Sequence, residues 1–489
     1  MTTQRDVERT YRGAGAAAPD WAAADLRAVV DPHDESLHAV YFDTAERDLL
    51  RYGITLRHER GAGRAAWALK IPDGPDARHR VEVPGDRDAV WLEWPPPELT
   101  ALVRAAVRGR PVDVAATVHT RRRRTVLCDA TGRELAEVAD DLVEAAPARI
   151  GDDAAPERRR WREIDVELDP AVPPATLDVL ERAFLDAGLR RGSPSKLPPA
   201  LGAPQPQPDR EPATAGEVLV AEIYRRTREL VLLDPLVRLE RPDSVHRMRV
   251  CCRRIRSVLR VFGRVLDRER TRGLDADLQW LGEVLGVARD LEVLHARIAA
   301  AEPELTAVLD AHFAPRRTAA AEEVLAALDG ARYVELLAAL DDLAANPPFT
   351  KRAWRPAEEV LRKELERAAR RIAATLHGAR TTAEATDRDL ALHHARKAAK
   401  RLRYAAEAAA PVAGRRADRF ARAAHALQDL LGERQDAVTA RPILREIAAS
   451  VSGSDGFRLG VLHEREGDVL RRTEAELAAV GGALHRALR

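Results

Sequence analysis

A charged helical motif occurs twice in this chain, and that repetition limits what its second half can fold into. Residues 246–260 read His246-Arg247-Met248-Arg249-Val250-Cys251-Cys252-Arg253-Arg254-Ile255-Arg256-Ser257-Val258-Leu259-Arg260, with no Gly or Pro to interrupt a helix. At about 100° per residue, His246, Arg249, Arg253, Arg256 and Arg260 fall on one face, and Arg264 extends it. His393, Arg396, Lys400, Arg401 and Arg403 repeat the spacing of His246, Arg249, Arg253, Arg254 and Arg256, 147 residues on. A second motif, Leu285-Gly286-Val287-Ala288-Arg289-Asp290, returns as Leu431-Gly432-Glu433-Arg434-Gln435-Asp436 after 146 residues. Two motifs at nearly one offset predict a duplication: two homologous helical bundles, about 215–350 and 351–489, related by a pseudo-two-fold axis.

Like charges at i,i+4 destabilise a helix, so each basic face requires counter-charge. The protein could supply it from Asp277, Glu283, Asp290, Asp429, Glu433 and Asp436. The alternative source is a polyanion, for which Arg and Lys on rigid helices are suited. Two such faces side by side would suit a linear chain of phosphates, with nucleic acid a weaker candidate. Of the aromatic residues that stacking on bases needs, only Tyr404 lies near the cations. Net charge does not decide the matter, because 79 Lys+Arg nearly cancel 78 Asp+Glu. Segregation of charge has to carry any electrostatic function.

Aromatics make up only 4% of the chain, while helix-forming Ala, Leu, Arg and Glu abound. From about 215 onward the pattern is helical, with candidates over 217–233, 245–267, 275–300, 303–312, 317–328, 333–343, 356–376, 387–410, 416–431, 436–449 and from 456 on. A Pro/Gln-rich stretch, 201–214, reads as an extended linker after a first domain of residues 1–200. That domain is rich in strands. Gly53–His58, Ala66–Ile71, Arg78–Val83, Thr117–Leu127 and Trp161–Leu168 alternate with period two, and 97–108 and 174–187 read as helices. The strands carry Arg, Lys or Glu where a sandwich would place its core. A barrel with a polar interior accounts for this, and so does a solvated sheet face. The fold class is α+β in two domains: an antiparallel β-barrel or tunnel with flanking helices, then all-α duplicated bundles.

Three cysteines, Cys128, Cys251 and Cys252, make no disulfide framework or zinc spacing, which suits a reducing cytoplasm. No run of about 18 apolar residues predicts a membrane span, and the first residues carry no apolar core of a secretion signal. The expected location is cytoplasmic.

The helical motifs resemble the CHAD domain, the conserved-histidine α-helical domain, across about 210–489. The resemblance implies two bundles that bind inorganic polyphosphate through basic helix faces. It implicates His246, Arg249, Arg253, Arg254, Arg256, Arg260, His393, Arg396, Lys400, Arg401 and Arg403, and suggests association with polyphosphate granules.

Residues 3–200 resemble the CYTH family of triphosphate tunnel enzymes. The resemblance rests on Tyr41-Phe42-Asp43-Thr44, Gly53-Ile54-Thr55-Leu56-Arg57, Leu69-Lys70-Ile71-Pro72, Arg80-Val81-Glu82, the Arg121–Arg124 run, Glu137 with Asp140-Asp141, the Glu163/Asp165/Glu167 strand and Ser195-Lys196. It implies an antiparallel tunnel whose inward cations hold a triphosphate and whose carboxylates hold Mg²⁺ or Mn²⁺. On that reading Asp6, Glu8, Arg57, Lys70, Arg80, Arg121, Arg123 and Lys196 serve catalysis, and Glu8, Glu82, Glu137, Glu163, Asp165 and Glu167 hold metal. The chemistry agrees, since hard divalent cations prefer carboxylate oxygens and share them with substrate phosphates. The chain departs from the family's Glu-x-Glu-x-Lys, reading Asp6-Val7-Glu8-Arg9-Thr10, and from its Arg-x-Arg, reading Arg57-His58-Glu59. Thr10 removes a cation. Two readings therefore stand beside a third, a nucleic-acid binder: a metal-dependent triphosphatase acting on inorganic or organic triphosphate, or a non-catalytic scaffold for polyphosphate.

Overall fold

The structure is a computed structural model; it describes the chain except residues 14–18, 23–25, 32, 62, 86–93, 149–156, 203–211, 382–383 and 489. Most of the expected linker thus lies outside the described residues. The chain divides into two compact units, Met1–Asp209 and Arg210–Arg489.

The first unit contains β1 (Thr2–Arg12), β2 (Arg27–Val30), β3 (Glu35–Asp43), α1 (Asp48–Tyr52), β4 (Thr55–Gly61), β5 (Arg64–Pro72), β6 (Ala77–Pro84), α2 (Pro97–Leu102), α3 (Arg104–Val107), β7 (Asp113–Cys128), β8 (Glu134–Pro147), β9 (Arg159–Leu168), α4 (Thr176–Asp186), β10 (Arg190–Arg191) and α5 (Leu197–Ala200). Antiparallel pairing runs β1-β6-β5-β4-β3-β7-β8-β9, and β9 pairs back to β1, so the sheet closes into a barrel. Closure removes the strand edges that an open sheet would expose. Strands β2 and β10 attach outside this ring, to β7 and β1.

Alternation fixes what faces each way. On the outer face Tyr11, Leu127, Val138, Ile164, Val166 and Leu168 bury against Leu177, Leu180 and Phe184, and three of these come from α4. Inward, the rows are charged. Glu8 pairs across from Glu167, Lys70 from Arg80, and Arg122 from Asp141, which in turn lies opposite Glu163. The charged strand faces thus line a barrel interior and are not a solvated sheet face. Part of that interior is apolar: Leu197 and Ala200 of α5 cluster with Ala39, Tyr41, Val118, Val143 and Ala145, on the same strand faces as Arg57 and Arg122. The α5 turn therefore stoppers the barrel and delivers Lys196, just before it, into the interior. The stretch read as one helix over 97–108 is two short helices, because Val103 leaves helical geometry between them.

The second unit is helical: α6 (Ala215–Arg238), α7 (Ser244–Val261), α8 (Arg272–Ala301), α9 (Thr306–Asp329), α10 (Ala331–Ala345), α11 (Ala357–Thr381), α12 (Ala385–Ala448) and α13 (Gly453–Leu488). Thr214 and Glu217 form a capping box that starts α6. The apolar face of α7, with Met248, Cys251, Cys252, Ile255, Val258 and Leu259, is buried, and its basic face packs towards α12.

Two sets of expected breaks do not occur. The stretches 303–312 and 317–328 belong mainly to the single helix α9, with Pro315 inside it. Proline removes one intrahelical bond, but Leu309 and Phe313 before it, and Ala320 and Val324 after it, are all buried, so packing holds both halves. Likewise 416–431 and 436–448 run on as one helix in α12, whereas the expected break before 416 does occur: Gly414, at φ 51° and ψ −142°, kinks α12 into two parts. The first part of α12 stands where α7 stands in the first repeat, and the second part where α8 stands.

Candidate functional site

The barrel interior gathers two carboxylate groups of opposite character. Asp6, Glu8 and Glu167 approach one another closely enough to share a cation, and so do Asp141, Glu163 and Asp165. In the second group Lys196 Nζ lies 2.9 Å from Asp141, 2.6 Å from Glu163 and 2.9 Å from Asp165. Arg122 donates to both oxygens of Asp141 at 2.8 and 2.7 Å, and Arg12 and the Trp161 indole donate to Glu163. Thr10 donates its hydroxyl to Asp165 at 2.7 Å. Burial pushes Asp165 up, but Lys196 and Arg122 outweigh it and hold the carboxyl well below its ordinary range. Lys196 is opposed by burial and still held well above the ordinary lysine range by Asp165, Glu163 and Asp141. The charge of this group is already matched by Lys196, Arg122 and Arg12, so a metal here would have to displace or join those cations.

The first group differs. Asp6 Oδ2 is buried without a hydrogen-bond partner, and its nearest cations are Lys70 at 3.6 Å and Arg80 at 3.5 Å. Lys70 turns to Glu8, Arg78 also reaches Glu8 at 3.3 Å, and Arg80 reaches Glu82 at 3.2 Å. Burial, then Asp6, push the Glu167 carboxyl above its ordinary value, the mark of a carboxylate short of positive charge. An all-oxygen set with one orphaned oxygen fits a hard divalent cation such as Mg²⁺ or Mn²⁺. Glu137 lies opposite Glu167 in the ladder and pairs with Arg124, while Glu82 stands further off with Arg64 and Arg80.

Arg121 and Arg123 do not enter the barrel. Arg123 is 61% exposed and pairs with Asp34 outside, and Arg121 is exposed on the same outer face. The inward residues of β7 are Arg122 and Arg124, one position off the expected pair. Arg57 does face inward, bonded to Tyr41 and paired with Glu59 at 3.1 Å. Glu59, which stands where the family has its second Arg, is an interior carboxylate; burial raises it, but Arg57 and Arg122 hold it below its ordinary value. Period two from Arg57 was its signal. Arg9 lies outside, against Asp76, Asp178 and Glu181, and cannot replace the missing cation at Thr10.

In the helical unit the cations split into anchored and unanchored sets. Arg256 and Arg260 both bond Asp275, and Arg254 and Arg403 both bond Glu407. Arg254 also lies over the Tyr404 ring, 4.8 Å from its centroid. These contacts fasten α7 to neighbouring helices. Arg253, Lys400 and Arg401, by contrast, have no ion-pair partner among the described residues. Burial, then Arg396, Arg253 and Arg249, push the Lys400 ammonium down to about 7. Burial, then Arg260 and Arg256, push Arg401 down as well. Lys400 is thus the centre of a crowded basic groove between α7 and the first part of α12.

The expected neutralising acids mostly serve elsewhere. Asp277 bonds Arg332, Glu283 accepts from Gln279, Asp429 pairs with His425 and Glu433 with Arg472. Only Asp290, on Arg249 at 2.7 Å, and Asp436, on Arg396 at 3.7 Å, touch the groove. The two histidines are not equivalent. His393 Nδ1 lies 3.0 Å from Gln435, whereas His246 is pushed down first by burial and then by Arg289, the residue at the matching position.

This barrel and this duplicated basic bundle define a two-domain class. Residues 4–199 match the CYTH domain and residues 221–445 match the CHAD domain. The chain belongs to the CYTH–CHAD family. It is 36% identical to the uncharacterized protein Rv2226 of Mycobacterium tuberculosis (strain ATCC 25618 / H37Rv), over 96% of this chain and 93% of that one. The same figures hold for the uncharacterized protein MT2285 of strain CDC 1551 / Oshkosh. Among solved structures it is similar to PptA from Streptomyces chartreusis, 21% identical, covering 55% of this chain and 99% of that one with a TM-score of 0.46. It is also similar to the CHAD domain from the plant Ricinus communis, 25% identical over 57% of this chain and 95% of that one, TM-score 0.44. A third, from Hippeastrum, is described as a putative adenylyl cyclase with a dominant triphosphatase activity; it is 15% identical over 41% of this chain and 98% of that one, TM-score 0.25.

Proposed function

We propose that the chain docks on inorganic polyphosphate through its helical groove and that its barrel receives a triphosphate-bearing molecule together with a divalent cation. The observation that carries the first part is Lys400, crowded by Arg396, Arg253 and Arg249, with Arg253 and Arg401 beside it lacking an ion-pair partner among the described residues. A set of cations left without counter-charge binds a polyanion by releasing condensed counterions, so binding weakens steeply with salt. Nucleic acid is the poorer partner, because Tyr404 is buried under Arg254 and offers no ring for a base. The test is binding of long-chain polyphosphate to the full chain across a salt series; binding that is absent, or insensitive to salt, sinks this part. Attachment to polyphosphate granules in the cytoplasm follows from the same reading. Among the described residues no helix is long and apolar enough to cross a membrane.

For the barrel, Asp6, Glu8 and Glu167 would hold the cation, which when bound supplies charge neutralisation to phosphate oxygens and orientation of a water. Lys70 and Arg80 flank that group, and Arg57 and Arg122 stand further along the same interior. Their part is to hold phosphates and stabilise charge that grows as the terminal phosphorus is displaced. Each already has a carboxylate partner, so substrate phosphates must replace internal ion pairs. That, with Thr10 in place of a cation, favours the second reading, a barrel that binds triphosphate without turning it over. Phosphate release from tripolyphosphate with Mg²⁺ or Mn²⁺ separates them. Release in the wild type that is lost in Glu8→Ala or Glu167→Ala supports hydrolysis. No release in the wild type, with thermal stabilisation by tripolyphosphate and Mn²⁺, supports the scaffold.

A further inference from the structure

The duplicated Leu-Gly…Asp motif performs the same task in each repeat, and the task concerns the groove. Arg249 lies across Gly286, where an added Cβ would come within 3.1 Å of the guanidinium. Asp290, one turn further along α8, then meets Arg249 at 2.7 Å. In the second repeat Arg396 passes Gly432 less closely, 4.0 Å from where a Cβ would sit, and Asp436 one turn on meets Arg396. Each repeat thus sets an arginine over a glycine and sets a carboxylate against it.

These two carboxylates differ from those that anchor the helices. The side chains of Asp275 and Glu407 are 18% and 28% exposed, whereas those of Asp290 and Asp436 are 69% and 48% exposed. Asp290 and Asp436 already face water, so either can leave its arginine and remain hydrated. They also share one field: Asp290 acts on both Arg396 and Asp436, across the repeats. Carboxylate and phosphate compete for the same guanidinium donors, and a phosphate seated on Arg249 would repel the carboxylate beside it. Binding at this place is then an exchange of anions.

Resting on the polyphosphate reading of the groove, we propose that Asp290 and Asp436 are built-in counter-ions which a polyphosphate chain displaces from Arg249 and Arg396, and that they set the affinity and the salt response of the groove. Neutralising them removes the competing charge. The contrasting role is positioning, in which the carboxylates aim the two arginines and their loss weakens binding.

The experiment titrates the full chain with fluorescently end-labelled long-chain polyphosphate at several salt concentrations, comparing wild type with Asp290→Asn, Asp436→Asn and the double variant. The double variant is expected to bind about tenfold more tightly, and its plot of log Kd against log salt to steepen by about two, one for each charge removed. Asp290→Glu with Asp436→Glu, which keeps both charges, is expected to retain the wild-type slope. Should the double variant unfold, each single Asn variant carries the test with a change in slope of about one. Weaker or unchanged binding in the Asn variants with the wild-type slope overturns the proposal. A wild type that binds no polyphosphate overturns the reading of the groove itself, and is told apart because no variant is then needed.

Discussion

The barrel and the groove use the same residue types and treat them oppositely. In the barrel nearly every cation has a carboxylate within reach: Lys196 has three, Arg122 has Asp141 and Arg57 has Glu59. In the groove the central cations crowd one another, and Lys400 is left with its charge disfavoured. A buried ion-pair network holds a shape and makes any ligand compete for entry. A crowded cationic surface holds its ligand by the relief of repulsion. In the barrel the orphaned oxygen Asp6 Oδ2 leaves room for a cation, and in the groove Arg253, Lys400 and Arg401 lack an ion-pair partner among the described residues.

The comparison breaks most visibly at Glu8. If the orphaned oxygen of Asp6 marks a cation site, Glu8→Gln should abolish the thermal stabilisation of the protein by tripolyphosphate with Mn²⁺, while polyphosphate binding by the groove stays at the wild-type value. A loss of both would mean the two units do not act separately. Next in size, Arg253→Ala with Lys400→Ala should weaken polyphosphate binding about ten- to a hundredfold and lower the salt slope by about two, with the stabilisation by tripolyphosphate and Mn²⁺ unaffected. A variant that binds as tightly as wild type would show that the unpartnered cations are not the site.

A smaller effect concerns pH. Unfolded lysine titrates near about 10.4, and Lys400 in the fold is pushed down to about 7. Between these values the unfolded chain holds the proton and the folded chain does not, so the stability of the free protein rises with pH through that window. Below about 7 both forms are protonated and the destabilisation is complete. The urea midpoint should therefore rise from pH 7 to 9, with a flatter profile in Lys400→Met. Bound polyphosphate favours the charged lysine, so its affinity should fall over the same range. A Lys400→Met profile identical to wild type would remove Lys400 as the cause. The smallest effect is expected at Arg123→Ala, an exposed pair on the outer face, which should leave the urea midpoint and the stabilisation by tripolyphosphate with Mn²⁺ at their wild-type values.

Much of this was legible in the sequence. The duplication, the two classes of domain and the strand carrying Glu163, Asp165 and Glu167 are all readable from spacing and alternation. The direction of β7 was not, because Arg121 to Arg124 are four cations in a row and show no contrast between odd and even positions. Only the ladder with β8, which sets Arg122 opposite Asp141, decides it. Nor could the sequence choose the acids that neutralise the basic helices. Asp275 and Glu407 do so through the packing of distant helices, whereas Asp277 and Glu433, equally plausible on the page, turn to Arg332 and Arg472. Breaks in helices were over-read at Pro315 and around Gly432, where a proline and a glycine are each held in the helix by buried residues on both sides, Leu430, Leu431 and Ala437 in the case of Gly432.

The turn Leu197–Ala200 has a consequence for traffic. A barrel filled at one side by Leu197 and Ala200 against Tyr41, Val118 and Val143 is a blind alley. A phosphate chain cannot be threaded through it and can present only its tip. Whatever enters must back out by the same mouth, so arrival and departure share one door, and a long polymer could be shortened only from its end.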